Sequence, residues 1–219
     1  MTVHDPSRRT MQNVETKALN PANAPTPKGA ARVNDILATA HRIFISEGYV
    51  ALSMRRLAAD LGVRINAVQH YYPTKVLLLE AMLIHTLDRY EAKMHRALRP
   101  IEDALPPQRL RVTLEYFMRS TEDPETNAVV SELHALASRN DFAKGILGEV
   151  LRRARELVLP ALRAFADGHD NETYDLRAAL IVAQFHGLMV YLAANSPPRK
   201  GLSRLRKETI EACTRIAAA

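Results

Sequence analysis

The segment from Ser53 to Lys75, SMRRLAADLGVRINAVQHYYPTK, gathers side chains whose chemistry suits a nucleic acid better than a reaction. The Arg64 guanidinium can pair with guanine O6 and N7, and the Asn66 and Gln69 amides with adenine N6 and N7. Each good bidentate pair is worth about 1 to 3 kcal/mol of discrimination. Ser53, Arg55, His70, Tyr71 and Lys75 have the hydrogen-bonding capacity for phosphate oxygens, which position a protein without reading sequence. Ile65 and Ala67 lie on the same short stretch. Taken singly, Arg55, Arg56 and Arg64 read equally well as solvated surface charges, so the spacing has to carry the reading.

That spacing is what a helix-turn-helix needs. Such a unit requires a small residue where its second helix crosses the first, a residue tolerant of positive φ in the turn, and an apolar anchor on the second helix. Ala58, Gly62 and Val68 have those offsets, with Leu57, Leu61 and Val63 as further apolar contacts. Ser53 is a good N-cap for a helix from Met54 to Leu61, and Gly62 ends it. The outer face of the next helix, carrying Arg64, Ile65, Asn66, Ala67 and Gln69, is not needed for packing and can enter a major groove. Pro73 closes the segment, and Thr74 can cap the helix that follows. Lys75 in its first turn is unfavourable for the helix dipole but well placed for a phosphate. Upstream, Ile36, Leu37, Ala40, Ile43, Phe44 and Glu47 follow helical spacing from Ala31, and Gly48 sits where that helix should stop.

On these residues the chain resembles the TetR family of bacterial transcription regulators. EGY at 47–49, SMRRLA at 53–58, LGV at 61–63 and HYYPTK at 70–75 follow the family pattern over about residues 32–80. The chain departs from it at Arg64, Asn66 and Gln69, where the family favours a small hydroxyl residue, glycine and tyrosine, and none of the three is a core position. The resemblance implies the phosphate-side roles of Ser53, Arg55, His70, Tyr71 and Lys75, and it implies that Tyr72 belongs to the core.

Composition agrees with a helical regulator. With 219 residues and 47% hydrophobic content the chain can bury a full core. Few glycines and aromatics, many Ala, Leu and Arg residues, and no alternating β-branched runs favour an all-α fold. Residues 1–79 hold ten Lys/Arg against five Asp/Glu, which places +5 of the +6 net charge there. A basic first third joined to a near-neutral remainder suits a polyanion-binding part and a part with another task. A single cysteine, Cys213, excludes an intramolecular disulfide and suits the cytoplasm. The N-terminus lacks the apolar core of a signal peptide. The apolar run from Ala178 to Ala194 carries Gln184 and His186 and reads as a buried helix rather than a membrane span. No catalytic motif, phosphate-binding glycine loop or metal spacing among the eight histidines is present, so neither cofactor nor metal is expected.

The expected organisation is a flexible basic arm at 1–28, a DNA-binding domain at 29–75 and a helical effector-binding and dimerisation domain at 76–219. The last should hold helices at about 76–98, 108–121, 125–138, 141–166, 172–194 and 203–217, with a kink at Pro160. Tyr116, His134, Gln184 and His186, polar among apolar neighbours, can line an effector cavity, or they are satisfied core and surface groups. A helix apolar nearly all round, as at 178–194, must be covered on every side. The resemblance implies a four-helix dimer interface from the last two helices of each chain. From the apolar run itself, Gly187 lets two helices approach closely, with Leu180, Ala183, Leu188 and Tyr191 around it; burial within one chain is the alternative. The expected function is a homodimeric regulator, a repressor, that binds palindromic double-stranded operator DNA and is released by a small-molecule effector. A DNA-binding regulator without such an effector and an all-α enzyme are the alternatives.

Overall fold

The computed structural model describes residues 26–219, apart from residues 102, 196 and 197. The described elements are nine α-helices and one short 3-10 turn. The chain divides into two compact units, the first ending at Asp88 and the second running Arg89–Ala219. Residues 1–25, most of the expected arm, lie outside the described residues.

The first unit holds α1 (Pro27–Ala51), α2 (Met54–Asp60), α3 (Ile65–Gln69) and the start of α4 (Lys75–Leu98). Pro27 and Lys28 belong to α1, which begins earlier than Ala31. The Thr26 hydroxyl accepts the Gly29 N–H at 3.0 Å, and Pro27 fills the first turn, where no N–H partner is required. Within α1, Gly48 adopts φ 81 and ψ 174. That backbone is essentially restricted to glycine, and it turns the chain toward α2. Val33, Ile36, Leu37, Ala40, Ile43 and Phe44 of α1 are buried with Leu57, Ala58, Val68 and Tyr72.

The second unit holds the rest of α4, then α5 (Pro106–Glu122), α6 (Pro124–Ala137), α7 (Asp141–Phe165), α8 (Asn171–Ala194) and α9 (Arg199–Ala218). Pro106 and Pro124 open α5 and α6. The Asp123, Asn140 and Asp170 side chains cap α6, α7 and α8. α7 runs through Pro160, which has no N–H to donate to the helix and lies on an exposed side. α5 and α8 meet in the core, where the Phe117 and Phe185 rings stack with centroids 5.5 Å apart. Cys213 of α9 is fully buried there, and burial pushes its thiol up to about 12, so it is inert. The buried Arg177 guanidinium donates to the Ala217 carbonyl at 3.1 Å and so caps the end of α9.

Candidate nucleic-acid interface

The local sequence builds the α2–turn–α3 unit from its ends inward. The Ser53 hydroxyl accepts the Arg56 N–H at 3.1 Å to start α2. At the other end the Gly62 N–H donates to Ala59 O at 3.1 Å and the Val63 N–H to Ala58 O at 3.0 Å, with Gly62 at φ 64. This pair of bonds is the Schellman motif, and it sets the path into α3. On α3 only Val68 is buried, and the Tyr72 N–H bonds back to the Val68 carbonyl at 3.0 Å. Tyr72 is fully buried, and its burial raises the phenol's pKa, so it is a core residue.

With Val68 turned inward, Arg64, Ile65, Asn66, Ala67, Gln69 and His70 are all exposed. Arg64 occupies the N-cap position of α3 and makes no capping hydrogen bond. Ser53 and Arg55 are exposed and Tyr71 is half-buried, its ring edge-to-face with His70 at 5.2 Å. The sequence-predicted residues therefore lie within one short stretch of structure, all accessible at least in part.

Lys75 is more constrained than its position in the sequence implies. Its ammonium donates to the Tyr49 carbonyl at 2.6 Å and lies 3.7 Å from the centroid of the Tyr49 ring. Partial burial lowers its pKa. The contact ties the start of α4 to the end of α1 and uses one of three ammonium donors.

Arg56 serves a different end from Arg55. Its guanidinium pairs with Asp60 at 2.9 Å and Glu47 at 3.0 Å, while Arg42 reaches Asp60 at 2.7 Å. Arg42 and Arg56 together hold the Asp60 carboxyl below the usual range. This brace joins α1 to α2 and leaves Arg55 outside it. The Arg56–Asp60 spacing was legible as an i,i+4 pair; the links to Glu47 and Arg42 had no local signal.

In the second unit the proposed effector residues separate. The Tyr90 hydroxyl donates to Ser120 Oγ at 2.5 Å, and the Tyr116 hydroxyl to the Tyr90 carbonyl at 3.4 Å, so Tyr116 ties α5 to α4. His134 of α6 and His186 of α8 meet edge-to-face at 5.8 Å, each with a buried Nε2 that has no partner. Gln184 is exposed and stands apart from them. None of the four lines the cavity of about 440 Å³ between the α5–α6 junction, α8 and α9, which is bordered by Thr121, Asn127, Ser131, Leu192 and Leu202. Among the described residues no cluster of three or more His, Cys, Asp or Glu is placed to hold a metal ion.

α8 is long and apolar enough to cross a membrane by length and composition. Its two sides differ in the fold. Ala178, Ile181, Val182, Phe185, Leu188 and Met189 are buried within the chain. Leu176, Leu180, Val190 and Tyr191 are 61, 45, 59 and 51% exposed, and Ala183 and Gly187 are exposed between them. Leu188 therefore faces the chain's own core, while Leu180, Ala183, Gly187 and Tyr191 form an outward apolar stripe. Leu176 and Val190 extend that stripe at helical spacing and were missed in the sequence.

Comparison with known proteins agrees with this geometry. Residues 36–82 match the profile of bacterial regulatory proteins of the tetR family. The HTH-type transcriptional regulator BetI of Rhizobium meliloti is 27% identical over 158 residues, 72% of this chain and 75% of that protein. The nucleoid occlusion factor SlmA of Vibrio vulnificus is 22% identical over 165 residues, 75% of this chain and 82% of its own. A TetR transcription regulator from Haloarcula marismortui, 18% identical, shares the fold with a TM-score of 0.69 over 86% of this chain and 97% of its own. Residues 36–82 thus carry the profile of the tetR family of bacterial regulatory proteins, and over most of its length the chain is similar to an HTH-type transcriptional regulator.

Proposed function

We propose that the chain acts in the cytoplasm as a homodimeric repressor that binds a palindromic operator and leaves it when a small molecule occupies the second unit. The observation that carries this reading is the α3 face, which presents Arg64, Asn66 and Gln69 to solvent while Val68 alone anchors the helix. In this reading Arg64, Asn66 and Gln69 address base edges, and Ser53, Arg55, His70, Tyr71 and Lys75 hold phosphates. The outward stripe on α8 supports pairing of two chains. A two-fold dimer then spaces two recognition helices for half-sites one helical turn or more apart. The cavity and the unpartnered imidazoles of His134 and His186 support an effector site in the second unit, with Tyr116 coupling α5 to α4. An effector that favours one position of α4 lowers DNA affinity by the same factor by which DNA lowers effector affinity.

Selection of bound duplexes from a random pool tests the reading directly. The expected product is an inverted repeat bound by two chains, with an affinity that falls steeply as salt rises. A selected site without dyad symmetry, or one chain per site, would remove the dimer; no enrichment at all would remove operator recognition.

A further inference from the structure

Ile65 is the first residue of α3 and stays 37% exposed, while Val68 is the one residue of that helix in the core. Packing within the unit therefore covers only part of this large β-branched side chain and leaves an apolar portion facing solvent. A helix turns about 100° per residue, so with Val68 inward Asn66 and His70 point outward. Ile65 and Gln69 then lie on one flank of Asn66, and Ala67 lies on the other. The face is thus an amide with an apolar side chain on each side of it, in a surrounding that is basic: Arg55 and Arg64 are exposed nearby. Among the groups that bases present in the major groove, one is apolar and base-specific, the 5-methyl group of thymine.

We propose that Ile65, assisted by Ala67, reads a thymine methyl in each half-site, so that the operator carries an A·T block in which Asn66 takes an adenine edge and Ile65 the methyl of a neighbouring thymine. This rests on the operator-binding reading above and adds a specificity determinant to it. Asn and Gln amides alone fix adenine by hydrogen bonds; an apolar contact adds discrimination against cytosine, which lacks the methyl and carries an amino donor in place of O4. Burying one methyl corresponds to about three- to fivefold in affinity, or about ten- to twentyfold when both half-sites of a dimer are changed together.

Deoxyuridine provides the test, because it keeps every hydrogen-bonding group of thymine and deletes only the methyl. Each thymine of the selected duplex is replaced symmetrically in both half-sites, and affinity is measured by fluorescence anisotropy at fixed salt for wild type, Ile65→Ala and Ile65→Val. At one thymine position wild type should lose about ten- to twentyfold. Ile65→Ala should lose most of the difference between the thymine and uracil forms, and Ile65→Val should retain most of it. The wild-type measurement needs no variant, so a folding defect in Ile65→Ala cannot decide the outcome. Specific binding with no uracil penalty anywhere, or a penalty that a folded Ile65→Ala keeps in full, overturns the methyl contact and leaves operator binding standing. Failure to select any duplex overturns base reading itself and this contact with it.

Discussion

His134 and His186 show how two ordinary side chains become pH-sensitive through their place in the fold. The Val182 carbonyl, 3.1 Å from His186 Nδ1, can only accept, so Nδ1 carries the proton and Nε2 is left as a buried lone pair. Burial lowers the pKa of both rings below the ordinary 6.5, and for His186 the neighbouring His134 lowers it further. As pH falls through 6.5 the unfolded chain takes up protons that the folded chain refuses. The stability the pair contributes is therefore complete above about pH 6.5 and is lost as pH falls from there toward the folded values. Glu149, held down to about 2 by Arg152 first and then Arg153, loses its contribution only as pH falls from 4.5 toward 2, a separate window. Glu80, whose carboxyl burial raises, acts in the opposite sense, but equally in any variant that spares it. Urea midpoints at about pH 8 and about pH 5.5 should drop further in wild type than in a His134→Gln, His186→Gln double variant. Equal drops would mean that neither ring resists protonation in the folded chain.

At the scale of the element, the turn between α2 and α3 depends on backbone chemistry alone. A Cβ added at Gly62 would meet nothing within 4 Å, yet the residue sits at φ 64. Gly62→Ala should therefore destabilise the first unit by about 1 to 2 kcal/mol through the left-handed conformation, and Gly62→Asn by less. Thermal melts of the two variants should fall in that order; identical melting would mean that the turn relaxes out of the Schellman geometry. This turn was legible in the sequence because its signals are local: Ser53, Gly62, Val68 and Pro73 each dictate conformation within a few residues of themselves. The start of α5 was less legible, since a proline ends one helix and opens the next with equal ease, and Pro106 does the second. The Lys75–Tyr49 contact, the Arg42–Asp60–Arg56–Glu47 brace and the His134–His186 pair join residues on different helices, and no spacing announces them. Leu188 was misplaced for a further reason: a helix apolar on every side has no polar face to orient it, so only packing tells core from surface.

At the scale of the molecule, the proposed pairing through the exposed stripe on α8 would connect assembly to DNA binding. Leu176, Leu180, Val190 and Tyr191 are all close to half exposed or more in the single chain, too much contiguous apolar surface to leave in water without reason. Gly187 lies among them, exposed, with open space where a Cβ would stand. An arginine at this position therefore disturbs nothing within one chain, so Gly187→Arg separates folding from assembly. If a second copy covers the stripe, the substitution buries a cation without a partner at the interface, which costs several kcal/mol. The expected result is a folded monomer by sedimentation, with wild-type helicity by circular dichroism. If operator affinity depends on two joined recognition helices, as proposed, that monomer should lose specific binding and keep only weak, salt-sensitive attraction to any duplex. A folded Gly187→Arg variant that still sediments as a dimer would take position 187 out of the interface, and a wild-type chain that is monomeric at micromolar concentration would require each recognition helix to act alone.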